Sequence, residues 1–284
     1  MKLLTTITLA SALTISGYTA AISFGDLVDS ATKVKDKVDK NPALWTGYTY
    51  EEERAIGKQL AGSILGASKL VDDAKLQSYV NLIGRWLASQ SERPDIDWVF
   101  GVIESDSINA FAAPGGYILL TSGLYRRLDN EAQLAAILGH EIAHITKKHH
   151  LDLIRKSSLV NEGSNLVKSQ SSGKAGMADD FVQNLIGNGA EIMARGLDKS
   201  SEYEADRVGM MLAAKSGYTP LGIAEVVTKL AEKPPVGGTM ELLKSTHPSP
   251  AQRLEEIDEA LGKNLERRID QPSLESRFAS HALK

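Results

Sequence analysis

The sequence predicts an α+β fold that is mainly helical, in which a small sheet packs against a histidine-bearing helix. Apolar residues recur at helical spacing over residues 50–66 and 73–90. Three short apolar stretches have the composition of strands: 96–103, 108–112 and 117–121. The last two are joined by Pro114-Gly115-Gly116, a turn sequence whose glycines supply backbone angles that other residues avoid. The histidine-bearing helix is predicted from about Glu131 to His149.

The composition fits one or two globular domains with a sizeable core. The chain has 284 residues, of which 42% are hydrophobic and 24% are charged. Its net charge of −4 and pI near 5.9 give no indication of a basic surface, so nucleic acid is not expected as a partner. The chain has no cysteine, so disulfide bonds are impossible and metal ligands must be histidines or carboxylates.

The first 21 residues have the pattern of a secretory signal peptide. Met1-Lys2 is a short positive region, Leu3–Ile15 is apolar apart from threonines and serines, and small residues allow cleavage after Ala21. The alternative is an uncleaved N-terminal anchor, although the apolar stretch is short for a membrane span. A cleaved signal peptide predicts export to the periplasm without a transmembrane anchor, and leaves an association with the outer membrane open.

The rest of the chain is predicted to have three parts. Residues 22–44 are polar and form a lead-in, whereas 45–262 form the main domain. Within that domain the Gly- and Ser-rich stretch 169–176 predicts a mobile loop, either a surface insertion or a lid. Further helices are predicted after the loop: 178–216, 221–232 and 250–261. The polar residues 263–284 predict a loosely ordered tail.

The helix predicted over 131–149 contains the sequence His140-Glu141-Ile142-Ala143-His144, an H-E-x-x-H motif. Residues four apart share a helix face, so the two imidazoles can converge on one metal ion. Glu141 then lies beside the metal, where it can accept a proton from metal-bound water, as in zinc metallopeptidases. The alternative is an exposed helix whose polar residues make surface hydrogen bonds. The apolar residues around the helix favour burial, and Gly139 leaves room for a close approach to the backbone.

A catalytic zinc ion usually has three protein ligands, so a carboxylate from a later helix is expected as the third. The candidates are Glu191, Glu202, Glu204 and Asp206. Glu202 and Asp206 share a helix face, whereas Glu204 points elsewhere and can pair with Arg207. Glu191 ranks low because a basic residue four positions on gives it a surface partner. Spacing alone leaves Glu202 and Asp206 open as the ligand.

The remaining histidines lie away from the motif. His149 and His150 follow on the same helix beyond the predicted metal, and both are predicted to be surface residues. His281 lies in the tail and receives no role. His247, followed by Pro248, is either a helix-entry residue or part of the site.

Four stretches occur in the order that a known family shows: Asn109–Gly116, His140–His144, the E-x-x-A-D sequence Glu202–Asp206, and His247-Pro248 followed by Arg253. Together they cover about residues 105–255 and resemble the gluzincin peptidase family. That family includes the HtpX heat-shock membrane protease, the CAAX prenyl endoprotease, the Oma-type mitochondrial protease and exported bacterial quality-control proteases. Because no further transmembrane segment or helical-repeat domain is expected, the chain is most similar to the minimal exported branch.

This resemblance implies a zincin-like metallopeptidase fold and a set of site residues. It implies that Glu202 is the third zinc ligand and that Asp206 orients a zinc-bound imidazole. It also implies that His247 and Arg253 stabilise the oxyanion. Tyr203 is an alternative stabiliser from its place in the sequence, and His247 could instead ligate zinc in a resting state.

Residues and resemblance together predict an exported zinc endopeptidase with one Zn²⁺ per chain, in which Glu141 activates a zinc-bound water. The stretch Asn109-Ala110-Phe111-Ala112 is expected to be an edge strand that pairs with an extended substrate, or a simple hairpin strand. Main-chain pairing suits unfolded or misassembled envelope proteins as polypeptide partners. Two other functions stay open, an exported chaperone or assembly factor with a structural or latent zinc site, and a hydrolase of non-peptide substrates such as cell-wall amides. The sequence makes no prediction of oligomeric state.

Overall fold

The computed structural model describes residues 47–156, 197–232 and 249–283. The predicted signal peptide, the lead-in 22–44 and the loop 169–176 lie outside the described residues. In the described part, most buried apolar side chains belong to one core, to which both the helices and the sheet contribute.

In the described residues two helices precede the sheet, α1 (Tyr50–Ala67) and α2 (Ala74–Ser89), each within one residue of its predicted bounds. Thr49 and Glu52 form a capping box at the start of α1, in which each side chain accepts from the other's backbone N–H. Asp73 caps α2 by accepting hydrogen bonds from two backbone N–H groups of its first turn. Local hydrogen bonds therefore set where both helices begin.

The apolar face of α2 is buried as predicted, with one exception. Its buried members are Leu76, Tyr79, Val80, Ile83 and Leu87. Trp86, predicted on the same face, is 49% exposed, and its indole nitrogen donates to the Ser216 carbonyl (2.9 Å). A hydrogen bond at the edge of the core keeps this ring half in solvent.

One mixed sheet has the strand order β1-β3-β2, where β1 is Val99–Ile103, β2 is Ala110–Ala113 and β3 is Tyr117–Thr121. β1 runs parallel to β3, and β2 runs antiparallel to β3 with Phe111 opposite Leu119. β3 agrees with its predicted range, whereas β1 begins three residues later than predicted. This order places β2 at one edge of the sheet.

Side chains of α2 close the other edge, along β1. Gln77 accepts from the Val102 N–H (2.9 Å) and donates to the Val102 carbonyl (2.8 Å). Asn81 accepts from the N–H of Phe100 (3.1 Å) and donates to its carbonyl. Unpaired groups at a sheet edge are what attracts another strand, so these two amides make β1 unavailable for further pairing.

The turn Pro114-Gly115-Gly116 between β2 and β3 is held by α1. Glu53, whose side chain is buried, accepts from the Gly115 N–H (3.1 Å), and Arg54 donates to the Gly115 carbonyl (3.0 Å). The two glycines of the turn have positive φ, +74° and +103°, as the turn sequence predicts. A Cβ on Gly57 of α1 would stand 1.6 Å from the proline carbonyl oxygen, so glycine is needed there for the close approach.

After the sheet, the described ranges contain the helices α3 (Ser122–Tyr125), α4 (Glu131–Thr146), α5 (Lys199–Lys215), α6 (Gly222–Glu232), α7 (Pro250–Glu266) and α8 (Glu275–Ala279). Residues 149–156 are also helical. The helix predicted over 131–149 ends instead at Thr146, because Lys148 adopts the left-handed conformation (φ +60°) and breaks it. None of the helices in the described ranges has the length and apolar composition needed to cross a membrane.

The C-terminal residues are docked on the domain, which corrects the prediction of a loosely ordered tail over 263–284. Arg277 of α8 forms a bidentate ion pair with Glu131 at the start of α4. The fully buried Glu131 carboxylate also accepts hydrogen bonds from the hydroxyls of Tyr79 and Tyr218, each at 2.7 Å. The prediction was wrong because local composition does not reveal an ionic contact between distant segments.

Aromatic contacts complete this docking. Phe278 of α8 is buried against Tyr125, with ring centroids 5.0 Å apart. His281, to which the sequence assigns no role, stacks on Tyr79 with centroids 3.8 Å apart and rings nearly parallel. The end of the chain therefore covers the start of α4.

Candidate metal centre

Helix α4 carries the H-E-x-x-H motif through the interior of the domain. Asn130 caps it by accepting from the Gln133 N–H (2.8 Å), while the Gln133 side chain accepts from the Asp129 N–H (2.9 Å). The three polar side chains of the motif are all buried: His140, Glu141 and His144. This burial excludes the alternative of an exposed helix, and buried ionisable groups need partners of their own.

Helix α5 packs against α4 at a pair of glycines. A Cβ on Gly139 would lie 2.8 Å from the Gly209 carbonyl oxygen, and a Cβ on Gly209 would lie 2.7 Å from the His140 backbone nitrogen. The close approach predicted at Gly139 is therefore confirmed, and Gly209 is the partner that spacing arguments missed. Glu202 lies seven residues before Gly209, about two turns away on the same face of α5. The glycine contact thus brings Glu202 onto the motif.

His140, His144 and Glu202 direct one ligand atom each toward a common point. The two Nε2 atoms are 3.0 Å apart, and the carboxylate oxygens of Glu202 lie 3.6 Å from His140 Nε2 and 3.5 Å from His144 Nε2. Ligands that sit about 2.0–2.1 Å from a tetrahedral ion are about 3.3 Å from one another, so these separations fit such an ion. The three side chains form a group that can hold a metal ion, and all three are buried.

Asp206, the other carboxylate that spacing left open, lies behind His140. Its Oδ1 is 2.8 Å from His140 Nδ1. Arg253 donates to both of its oxygens, from Nε to Oδ2 at 2.8 Å and from Nη2 to Oδ1 at 2.6 Å. Burial alone would raise the pKa of Asp206, but the adjacent Arg253 charge lowers it to about 2. The ionised carboxylate accepts the Nδ1 proton of His140 and so directs Nε2 to the common point.

The electrostatic field at the site favours one cation. Burial on its own would lower the pKa of His140, but hydrogen bonds to Asp206 and Glu202 overcome burial and raise that pKa to about 10. Burial, with the neighbouring charge of His140, holds the pKa of His144 well below its ordinary value. The negative charge that attracts a proton to His140 also attracts a divalent ion. A proton and a metal ion therefore compete for Nε2 of His140.

His149 lies behind His144, which corrects the prediction that it is a surface residue. It is 8% exposed, and its Nδ1 lies 2.9 Å from His144 Nδ1. Its Nε2 is 3.4 Å from an oxygen of Glu204. Burial lowers the pKa of His149 despite the hydrogen bond to Glu204. The prediction was wrong because α4 ends at Thr146, and the left-handed conformation of Lys148 gives the following residues a course that helical spacing does not predict.

Other predicted residues are placed as follows. Glu204 is 37% exposed and lies 4.0 Å from Arg207, the surface pair predicted for it, and it does not belong to the ligand group. His150, also predicted at the surface, is half-buried with its ring centroid 5.5 Å from that of His144. Two predicted residues lie outside the described part of the chain: Glu191 and His247.

The stretch predicted to bind substrate, Asn109-Ala110-Phe111-Ala112, lies on and just before β2, and β2 packs against α4. The Asn109 carbonyl accepts from the Thr121 N–H at 3.0 Å. Because hydrogen-bonded and non-hydrogen-bonded pairs alternate in antiparallel sheets, the backbone groups of Ala110 and Ala112 face away from β3. Among the described residues no strand pairs with that side of β2.

Comparison with known proteins gives the family. Residues 74–261 match Peptidase family M48. The chain belongs to this family. It is 31% identical to the beta-barrel assembly-enhancing protease of Escherichia coli K12 over 245 residues. These aligned residues are 83% of this chain and 49% of that protein. Membership of M48 confirms the predicted zincin-like fold, with its mainly helical α+β architecture, and the predicted class of metallopeptidase.

Other relatives of this M48 chain come from organelles as well as bacteria. The mitochondrial metalloendopeptidase OMA1 of Arabidopsis thaliana is 28% identical over 186 residues, which are 65% of this chain and 36% of that protein. The metalloprotease LoiP of Escherichia coli K12 is 29% identical over 160 residues, which are 56% of this chain and 60% of LoiP. The chain spans about half the length of the beta-barrel assembly-enhancing proteases that it matches.

Proposed function

We propose that this chain is a zinc-dependent endopeptidase that hydrolyses peptide bonds of unfolded or misassembled envelope proteins. The observation that carries the proposal is the buried ligand group His140, His144 and Glu202, with Glu141 on the same helix. A structural metal site needs no general base beside it. The presence of Glu141 therefore favours catalysis over a structural or latent site.

Zinc, one ion per chain, is the metal that this donor set fits. Two imidazoles and one carboxylate, without cysteine, are the ligands of catalytic rather than structural zinc sites, and they leave a fourth position open. When bound, zinc acts as a Lewis acid that lowers the pKa of a water molecule toward neutrality. Asp206, itself held by Arg253, fixes the ring of His140 so that Nε2 stays directed at the ion.

Glu141 serves as the general base. It directly follows His140 on α4, so its side chain projects beside the ligand group and not into it. It accepts the proton of the water that attacks the peptide carbonyl, and then passes that proton to the leaving amine.

The resemblance to gluzincins assigns stabilisation of the oxyanion to His247 and Arg253. In the structure Arg253 is buried with Nε and Nη2 on Asp206, and its Nη1 is not engaged by that carboxylate. Arg253 is thus suited to position Asp206 and, through Nη1, to meet a developing negative charge.

Main-chain pairing along β2 is the proposed mode of substrate binding. α2 closes the β1 edge, whereas Ala110 and Ala112 turn backbone groups outward from β2 next to α4; the Ala110 N–H donates to the Asn109 side chain (3.0 Å), and the Ala110 carbonyl and both Ala112 groups face outward. An extended peptide that adds to this edge gains main-chain hydrogen bonds with little dependence on sequence. Such binding selects chains that expose extended backbone, and folded proteins expose little of it.

Envelope proteins are the proposed substrates because two independent features agree. The N-terminal residues 1–21 have the pattern of an export signal, and relatives that align over most of this chain are beta-barrel assembly-enhancing proteases. Export to the periplasm follows from the same features. N-terminal sequencing of the protein from fractionated cells tests this, with a mature start at Ile22 expected.

Glu141→Gln tests the proposed chemistry. The variant keeps the ligand group, so we expect one zinc per chain by elemental analysis and a loss of unfolded-casein hydrolysis of about 10²–10⁴-fold. Glu256→Gln, the same change at an exposed position of α7, is the matched control and should hydrolyse casein normally. Near-normal hydrolysis by Glu141→Gln would remove Glu141 as the base. A wild-type chain that holds zinc, shows no chelator-sensitive hydrolysis and prevents aggregation would instead favour the chaperone alternative.

Backbone-modified peptides test the proposed substrate pairing without altering the protein. N-methylation of alternate amides removes the donors that would pair with β2 and leaves the side chains unchanged. Two peptides are compared, one methylated on the odd-numbered amides and one on the even-numbered amides. We expect kcat/KM to fall for one of them and to change little for the other, because only alternate backbone groups of a strand face its neighbour. Equal hydrolysis of both peptides and of the unmodified peptide would contradict main-chain pairing.

A further inference from the structure

The helix that carries the proposed zinc ligands is broken directly after its last turn. α4 ends at Thr146, Lys148 takes a left-handed conformation with φ +60°, and the chain is helical again from 149. Left-handed backbone is uncommon for residues other than glycine, and here it brings His149 back onto His144. The break at Lys148 therefore places a second imidazole behind a predicted metal ligand.

The geometry assigns every proton in this contact. A histidine that binds a metal through Nε2 carries its proton on Nδ1. In His144 that Nδ1 lies 2.9 Å from His149 Nδ1, and a hydrogen bond between two ring nitrogens needs one donor and one acceptor. Nδ1 of His149 is then the acceptor, and its own proton is on Nε2. That Nε2 lies 3.4 Å from a carboxylate oxygen of Glu204, which accepts it.

We propose that His149 is a positioning residue that fixes the tautomer and the ring orientation of His144, through an acceptor nitrogen that Glu204 holds in place. The two imidazole ligands are then supported by different chemistry, His140 by the carboxylate of Asp206 and His144 by a neutral ring. This inference rests on the proposed metal site and adds to it a residue that the H-E-x-x-H motif does not include.

The charge balance of the site explains why a neutral ring suits this position. Among the described residues of α4, α5 and α7, the buried charged side chains at the site are Glu141, Glu202, Asp206 and Arg253. With a divalent cation their charges cancel, so another buried carboxylate behind His144 would be uncompensated. His149 supplies an acceptor without adding charge. Glu204 is 37% exposed, with Lys147 and Arg207 each 4.0 Å away, and so keeps its charge near the surface.

Two substitutions of His149 separate the acceptor from the bulk of the ring. His149→Phe keeps the size and removes the acceptor, whereas His149→Asn places an amide oxygen close to the position of Nδ1. The matched control is His281→Phe, which retains the stacking on Tyr79 far from the site. Folding of each variant is checked by circular dichroism, and zinc Kd is measured by competition with a chromogenic chelator.

We expect His149→Phe to weaken zinc binding about 10–100-fold, the usual effect of losing an outer partner of a metal-bound histidine. His149→Asn should recover most of the affinity, and His281→Phe should bind zinc like the wild type. The visible spectrum of the Co²⁺-loaded chain should shift in His149→Phe and return in His149→Asn. A folded His149→Phe variant with wild-type zinc Kd and Co²⁺ spectrum would overturn the proposal.

Nitrogen-15 NMR of the zinc-loaded wild-type chain tests the same proposal without a substitution, so a variant that failed to fold would not decide the matter. The proposal requires His144 to be protonated on Nδ1 and His149 on Nε2. A proton found on Nδ1 of His149 would overturn it. If the wild-type chain binds zinc but His149 carries its proton on Nδ1, the proposed peptidase stands and only the role of His149 is lost. If the wild-type chain binds no zinc, both proposals fail.

Discussion

Gly209→Ala tests the helix contact that assembles the metal centre. A Cβ at this position would lie 2.7 Å from the His140 backbone nitrogen and 2.9 Å from the Gly139 carbonyl carbon. Both neighbours are backbone atoms, so no side chain can rotate away to make room. Because ordinary contacts of a Cβ begin at 3.4 Å, α4 and α5 must separate locally by about 0.7 Å.

The expected cost follows from that displacement. Zinc–oxygen bonds are about 2.0–2.2 Å long, so a separation of the helices by about 0.7 Å would carry Glu202 beyond bonding distance. Glu202 can stay bound to zinc only if the two helices stay close and the alanine remains overpacked. Overpacking of this kind costs about 1–3 kcal/mol. If metal release relieves the strain, zinc Kd should rise about 5- to 150-fold. The greater helix propensity of alanine, worth about 1 kcal/mol, offsets part of this cost.

Gly62→Ala is the matched control for this experiment. Gly62 is also in a helix, but it is exposed, and a Cβ there would meet no atom within 4 Å. It should therefore keep wild-type zinc Kd and gain stability of up to about 1 kcal/mol from propensity. Chelator competition and thermal unfolding measure both variants. A Gly209→Ala chain with wild-type zinc Kd and undiminished Tm would refute the argument that the glycine contact sets the ligand geometry.

Two other substitutions test the ligand group and the docked C-terminus. Glu202→Ala removes a proposed ligand and should weaken zinc binding more than about 100-fold by chelator competition; unchanged zinc content would reassign the ligand. Glu131→Gln leaves Arg277, Tyr79 and Tyr218 with a neutral partner, and should lower the free energy of unfolding in urea by about 2–3 kcal/mol. Burial alone would raise the pKa of Glu131, but hydrogen bonds from Arg277 and the tyrosines lower it. Its stabilisation is therefore complete above the unfolded pKa of about 4.3 and is lost as pH falls through the lower folded value, a dependence that Glu131→Gln should lack; equal acid unfolding of both proteins would contradict this.

Features that depend on neighbouring residues were predictable from the sequence. α1, α2 and β3 lie within a residue of their predicted bounds because apolar periodicity and caps are local. The convergence of His140 and His144 is also local, since a helix places residues four apart on one face. Gly139 predicted a close approach because glycine has no side chain, but it did not indicate that Gly209 is the approaching residue.

Features that depend on distant segments were not predictable from local pattern. Spacing could not separate Glu202 from Asp206, because both face α4 and only the helix contact at Gly209 decides which one reaches the Nε2 atoms of both imidazoles. The role of His149 was missed because lysine rarely adopts the left-handed turn seen at Lys148, so helical periodicity was extended across it. A pair of adjacent histidines just after the motif was the one signal present in the sequence.

The docked C-terminus shows the same limit. Residues 263–284 are polar, which is typical of loosely ordered ends, yet Arg277 meets the buried Glu131 more than a hundred residues away in sequence. Glu131 lies in the first turn of α4, where an acidic residue is expected for capping and helix-dipole reasons alone. Neither residue indicates its partner by itself.

The proposed peptidase requires one divalent cation held between α4 and α5. Anomalous scattering at the zinc absorption edge, on crystals of the protein grown with zinc, tests it most directly. We expect a single strong peak within about 2.0–2.2 Å of His140 Nε2, His144 Nε2 and a carboxylate oxygen of Glu202. A peak elsewhere, or none at these three side chains in zinc-replete crystals, would contradict it.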